Sequence, residues 1–208
     1  PEGVQSLAYW KTTLENPPPP LPLPTDYPRS QIQTLEGLRL EYWLTKEQTG
    51  HLLRLKKRSG TTFFMILLAA LQLLISRITG TTDILIGAPV AGRNHAAFEP
   101  LIGCFLNNLV LRTIIRESST FTQLLGQVRE KVLGAILHQD VPFEKLLEVV
   151  PHARHAGRTP LFQVLLNMHD FSDKDLSLPG MHARFVPSPT VKSLFDWTLY
   201  FQEHPDGI

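Results

Sequence analysis

The chain is 208 residues long and carries 20 Lys+Arg against 19 Asp+Glu, a formal net charge of +1, which removes the main electrostatic case for a nucleic-acid partner. With 43% hydrophobic and 19% charged residues, the composition argues against wholesale disorder and for a buried core. A single cysteine, Cys104, excludes an internal disulfide and a cysteine-built zinc site and favours a reducing compartment.

No basic-then-apolar leader opens the sequence, and its start at Pro1-Glu2-Gly3, without an initiator Met, suggests a piece of something longer. Val4 to Glu15 reads as a short amphipathic helix with Leu7, Trp10 and Leu14 along one side. Eight of the 17 prolines fall in the first 28 residues, including Pro17 to Pro20, Pro22 and Pro24. Such a stretch prefers polyproline II; it reads as a stiff connector, or alternatively as a ligand for an aromatic-lined groove. Leu38 to Leu44 then alternates apolar and polar, the pattern of a half-buried strand.

Thr45 and Gln48 form a capping box for a helix running to about Ser59, with Gly60 as its stop. Its Arg54, Lys56, Lys57 and Arg58 read as a solvated face near the negative helix end, with a phosphate-binding patch as the alternative. The apolar run Phe63 to Leu71 is broken by Gln72, Ser76 and Arg77 too early for a membrane span, so a buried helix ending at Gly80 is expected. Asp83 to Gly87 and Asn108 to Ile115 read as buried strands. A second capping box, Thr120 and Gln123, opens a helix that runs to His138 with Phe121, Leu124, Leu125, Val128, Val132, Ala135 and Ile136 on one face. Asp140 and Pro142 signal a further helix, with Asp140 as its expected cap. Leu161 to Met168 is strand-like, Pro179-Gly180 a turn, and Phe195, Trp197, Leu199 and Phe201 alternate as a last strand. Strands alternating with helices indicate an α/β layered fold.

A search for chemistry finds little. None of the eight histidines is adjacent to another, and no P-loop, GxSxG or GxGxxG occurs. His152 and His155 sit three apart in a loop without carboxylates and read as surface residues. Cys104, between Gly103 and Phe105, reads as a buried inert thiol. Three segments stand out. Ile102 to Asn108 (IGCFLNN) sets a glycine and two amides in an apolar run, either to anchor a peptide-like ligand or to form a left-handed turn. His138 to Glu144 (HQDVPFE) joins two helices with four polar side chains. Gly87 to Arg93 (GAPVAGR) leaves a strand through a turn that ends in a cation.

These segments, in this order, resemble the condensation domains of nonribosomal peptide synthetases. Ile102 to Arg112 (IGCFLNNLVLR) is close to the family's IGxFVNTxxLR, His138 to Glu144 matches HQDxPFE, and Arg154 to Val164 (RHAGRTPLFQV) resembles RxxSRxPLFQV. LAYW at Leu7 to Trp10, LPTDYPR at Leu23 to Arg29, GAPVAGR and FDWTL at Phe195 to Leu199 add support across the chain. The resemblance implies an α/β two-layer sandwich, a chloramphenicol acetyltransferase-like lobe whose mixed sheet is covered by helices. It further implies the C-terminal lobe alone: residues 1–37 as N-terminal helix and proline-rich connector, and 38–208 as an α/β lobe cut short at its C-terminus. The family's HHxxxDG motif, which belongs to the first lobe, has no counterpart here, so no residue of this chain is expected to be catalytic.

The parent reaction implied is amide formation between an aminoacyl and an acyl or peptidyl thioester, both delivered on phosphopantetheine arms into a tunnel between lobes; no cofactor is expected to bind the chain directly. By resemblance, Gly103, Asn107 and His138 belong to the tunnel wall, whereas Arg93, Asp140 and Arg158 are motif or structural positions, with Arg158 and Arg154 expected to pair with acids. GAPVAGR and the stretch from His169 to Pro189 are the segments expected to cross to the first lobe. The expected partners are the N-terminal lobe, donor and acceptor peptidyl carrier proteins and an adenylation domain, in the cytoplasm, with neither nucleic acid nor membrane. A stand-alone carrier-protein docking module and a lobe completed in trans are the other readings, and all three foresee no turnover by the chain alone.

Overall fold

The computed structural model describes residues 2–30, 32–152, 157–169, 177–178, 180–182, 191–203 and 208. Helix α1 (Glu2–Thr13) comes first, followed by the proline connector, α2 (Lys46–Ser59) and α3 (Phe63–Thr79). Strand β1 (Asp83–Val90), a short 3-10 turn (Ala96–Phe98), β2 (Asn107–Ile114), α4 (Phe121–Leu137) and α5 (Phe143–Val149) follow. The chain continues with β3 (Val164–His169), the two-residue strands β4 (Ser177–Leu178) and β5 (Met181–His182), and β6 (Trp197–Gln202).

The two capping boxes form as the sequence predicts. Thr45 accepts from the Gln48 amide and Thr120 from the Gln123 amide, and each glutamine side chain returns a bond to its cap residue's N–H. Two otherwise unpaired donors at each helix start are thereby satisfied. Gly60 and Gly80 end α2 and α3 in the left-handed conformation, which a residue without Cβ adopts at little cost.

One four-stranded sheet runs in the order β2-β1-β3-β6. β1 and β2 are antiparallel, in register from Asp83 opposite Ile114 to Val90 opposite Asn107. β3 lies parallel to β1, with Gly87 opposite Leu165, and β6 parallel to β3, from Val164 opposite Trp197 to His169 opposite Gln202. The sheet is therefore mixed, and α3 and α4 pack on each other and on β1 and β2, in agreement with the expected layered α/β fold. Ile66, Leu68, Ile75, Ile84, Ile86, Leu111, Leu125, Leu146, Phe162 and Leu166 are among its fully buried side chains. The close fit is clearest at Gly87, where a Cβ would lie 2.2 Å from the Phe162 ring. Among the described residues, no single helix is long and apolar enough to cross a membrane.

β1 outruns its predicted end. Pro89 and Val90 pair with Asn108 and Asn107, so the GAPV stretch is strand and the two asparagines open β2 instead of forming a left-handed turn. Leu38 to Leu44 departs further from expectation. Among the described residues no strand pairs along it, and Leu38, Leu40 and Tyr42 are 96%, 80% and 84% exposed. An alternating pattern specifies a strand only where a neighbour and a core lie alongside, and here main-chain bonds tie down the two flanks of the segment. Gly37 N donates to Val191 O (3.0 Å), Ser193 N to Leu35 O (2.9 Å) and Leu44 N to Ile208 O (2.9 Å). The turn expected at Pro179-Gly180 has its first residue outside the described residues, as does most of His169 to Pro189.

The first 30 residues are fastened to the rest of the chain at several points. Trp10 and Leu14 are fully buried, and Leu21 and Leu23 also enter the core. Leu21 N donates to the buried Gln163 side chain (2.9 Å), whose own amide donates to Thr159 O (3.2 Å). Arg112 on β2 pairs with Asp83 (2.7 Å) and donates to the carbonyls of Thr13, Glu15 and Asn16, which closes the end of α1. Arg29 makes two parallel bonds to Asp196 just before β6, one of them 2.8 Å long. The proline-rich stretch is thus laid along the sheet and helices that follow it.

Candidate functional site

The segments singled out in the sequence meet where β1 ends and β2 begins. Gly92 turns the chain there with φ +64°, and a Cβ on it would lie 1.9 Å from the Phe105 carbonyl oxygen. Arg93 follows, its guanidinium stacked 4.5 Å over the Phe105 ring. It donates to the carbonyls of Phe98, Glu99 (3.4 Å) and Gly103 (3.1 Å), gathering the 95–105 loop around one cation. Phe98 and Phe105 stack at 5.7 Å within that loop. Gly92→Ala should therefore cost about 1–3 kcal/mol, from a strained left-handed alanine and a main-chain collision, and open the 95–105 loop. A lowered urea midpoint together with faster proteolytic cleavage within 95–105 is the expected reading.

Asn107 holds the next layer. Its Nδ2 donates to Gln139 O (2.8 Å) and Val141 O (2.9 Å), and its Oδ1 accepts from the amides of Phe143 and Asn108, both at 2.9 Å. The residue expected to meet substrate thus spends its side-chain amide on the main chain of HQDVPFE. It also supplies the cap that Asp140 was expected to give: α5 has no side-chain cap from its own leading residues, and the Phe143 N–H is taken by Asn107. Asp140 turns instead to Asn94, whose Nδ2 donates to Asp140 Oδ1. One link thereby joins the GAPVAGR loop to HQDVPFE.

His138 ends α4, with its N–H shared between Gly134 O and Ala135 O. Helix α1 encloses it on three sides: Ser6 Oγ lies 3.0 Å from Nδ1, the Tyr9 ring stacks at 4.2 Å, and Trp10 Nε1 donates to His138 O at 2.8 Å. Among the described residues, Nδ1 is the ring's only hydrogen-bonded nitrogen. Burial raises the Tyr9 hydroxyl pKa above its ordinary value, opposed by a hydrogen bond with Thr13. Gly134 leaves space for Tyr9, because a Cβ there would come within 2.6 Å of its oxygen.

One expectation needs correction. Cys104 is exposed rather than buried, since the 95–105 loop folds around Arg93 and Phe105 and turns its other residues outward. Arg158 is half-buried and forms no ion pair among the described residues, and Arg154 and His155 lie outside them. His152 places Nδ1 2.9 Å from Val150 O beside the proline connector. Among the described residues, no group of three or more His, Cys, Asp or Glu side chains could hold a metal ion.

Arg93, Asn94, Asn107 and Asp140 are thus committed to tying three segments together, and several apolar side chains of the adjoining loop and helix end are exposed. Ile102 is 104% exposed, and Leu101, Leu106, Ile136 and Leu137 are also exposed. Such an arrangement can shape and position a bound partner. Sequence reasoning missed Ser6, Tyr9 and Asn94, whose partners lie 132, 129 and 46 residues away (His138 for the first two, Asp140 for the third).

A model of the condensation domain matches residues 2–208. The chain is similar to a linear gramicidin synthase from Brevibacillus parabrevis, with 43% identity over 99% of this chain and 4% of that protein. It is also similar to plipastatin synthase and surfactin synthase proteins of Bacillus subtilis, each 38% identical over 97% of this chain, and over 8% and 6% of the respective relative. The chain thus spans a small fraction of the length of these relatives. Among solved structures, the X-domain from teicoplanin biosynthesis superposes with a TM-score of 0.90 at 25% identity, over 99% of this chain and 47% of that one. A four-domain nonribosomal peptide synthetase bound to AMP and glycine gives 0.82 at 25% identity, over 97% of this chain and 16% of that one.

Proposed function

The chain belongs to the condensation-domain family, and from that premise we propose that it forms the C-terminal lobe of an amide-forming condensation domain in a nonribosomal peptide synthetase. The observation that carries this reading is the joint formed by Arg93, Asn94, Asn107 and Asp140, which holds the IGCFLNN and HQDVPFE segments together on a surface that includes the exposed Ile102 and Leu106. That surface is one wall of the tunnel in which two carrier-protein thioesters meet, and a first lobe bearing HHxxxDG is the other.

The reaction is attack of an amine on a thioester carbonyl, with the thiol of the phosphopantetheine arm as leaving group. Aminolysis of a thioester is downhill, so alignment of the two arms supplies most of what is needed. This chain's part is to bind and orient the arms and exclude water; its Gly103 and Ile102 region and the end of α4 border the path. The carrier proteins and an adenylation domain are the partners this reading requires.

The test mixes the 208-residue chain with a separately produced N-terminal lobe and two loaded carrier proteins, and follows dipeptidyl thioester by mass spectrometry. Product is expected from the mixture and from neither lobe alone. Turnover by this chain alone would overturn the reading. Carrier-protein binding without product in any mixture would favour a docking module instead.

A further inference from the structure

We infer that helix α1 governs how readily the 95–105 loop opens, and that it acts through HQDVPFE without touching the loop. Both bases of the loop are bonded to that one segment. On the N-terminal side Asn94 donates to Asp140. On the C-terminal side Asn107 donates to Gln139 O (2.8 Å) and Val141 O (2.9 Å) and accepts from Phe143 N. The position of residues 139–143 therefore sets where the two ends of the loop are held. The segment is in turn gripped at its first residue by α1: Trp10 Nε1 donates to His138 O, Ser6 Oγ lies 3.0 Å from His138 Nδ1, and Tyr9 stacks on the imidazole. Trp10 is fully buried, and Arg112 closes the C-terminal end of the helix, so α1 is a fixed support. Among the described residues, no hydrogen bond or ring contact joins α1 to the loop directly.

The loop is the element able to take two states. Its closed form depends on local, exposed contacts: Arg93 donating to the carbonyls of Phe98, Glu99 and Gly103, the guanidinium over the Phe105 ring, and Phe98 stacked on Phe105. A segment closed by a few exposed bonds opens at a free energy well below that of the core. Coupling between separated sites has a physical basis where both bias one such two-state element. Here α1 biases it from the far side of HQDVPFE, and Arg93 from within. On the two-lobe reading proposed above, the first lobe precedes α1 in the chain, so a shift of that lobe reaches Gly103 by this route.

Hydrogen exchange of the 208-residue chain tests this coupling. The amides of Phe98, Glu99 and Leu101 are bonded within the loop, at 2.8, 3.2 and 3.3 Å, and report its opening, while the amides of α3 report general stability. Trp10→Phe removes the indole donor and keeps an aromatic ring in place, Ser6→Ala removes only a hydroxyl, and Asn94→Ala cuts the link to Asp140. Each is expected to speed exchange in the loop roughly threefold or more relative to α3, the effect of one lost hydrogen bond on a local opening. The double variant W10F/N94A should fall short of the product of the two single effects, because both changes act along one route. Loop exchange unchanged in both α1 variants would overturn the proposal. So would equal acceleration of the loop and α3, which marks a general loss of stability, or a double variant that equals the product. None of these readings depends on turnover, so loss of the coupling and loss of the proposed reaction are told apart.

Discussion

Asn107→Ala is expected to lower the stability of the chain by about 2–4 kcal/mol, since it leaves the carbonyls of Gln139 and Val141 and the Phe143 amide without their partner. Water reaches this half-buried joint and replaces part of what is lost, which keeps the figure below the sum of four separate bonds. The Asp variant separates the two halves of the role. It retains the acceptor that caps α5 and removes both donations, placing a carboxylate against two carbonyls, so Asn107→Asp should be no better than Ala. Urea denaturation of all three proteins measures this. In the completed domain, Asn107→Ala should reduce amide formation largely by displacing HQDVPFE. Full stability with lost turnover would return Asn107 to the role of a substrate ligand.

Trp10→Ala should cost more, about 3–5 kcal/mol. The indole is fully buried, and its Nε1–H is the bond that ties α1 to the His138 carbonyl at the end of α4. Truncation opens a cavity beneath α1 and removes the edge-on contact with Tyr9. Trp10→Phe retains much of the packing and loses the bond, so it should fall between Ala and the parent. The comparison by thermal and urea unfolding divides the effect into its packing and hydrogen-bond parts. Loss of α1 protection in hydrogen exchange, with α3 and β1 still protected, is expected in the Ala variant.

Local signals in the sequence were sufficient where the physics is local. The boxes Thr45/Gln48 and Thr120/Gln123 fix helix starts because each joins atoms within three residues. The strands at Asp83–Gly87 and Asn108–Ile115 are legible because the middle of each is apolar and buried. Leu38 to Leu44 has the right alternation, but alternation cannot say whether a neighbouring strand is there to pair with. The site was legible as a set of motifs and opaque as a mechanism. Nothing local to Asn107 indicates that its amide is used up by residues 32 to 36 positions later, or that it displaces Asp140 as the cap of α5. Cys104 reads as buried because its neighbours are apolar, yet those neighbours form the exposed loop that Arg93 gathers.

The docked connector also constrains how the protein can be made. Leu21 waits for Gln163, 142 residues further on, and Arg29 for Asp196, 167 residues further on. At about 5–20 residues per second of synthesis, that interval is on the order of ten to thirty seconds, during which the segment has left the ribosome without its final partners. A run of prolines suits that interval. It offers neighbouring strands no main-chain donors, resists helix formation and stays extended, so it remains available until the last strand of the sheet arrives to receive it.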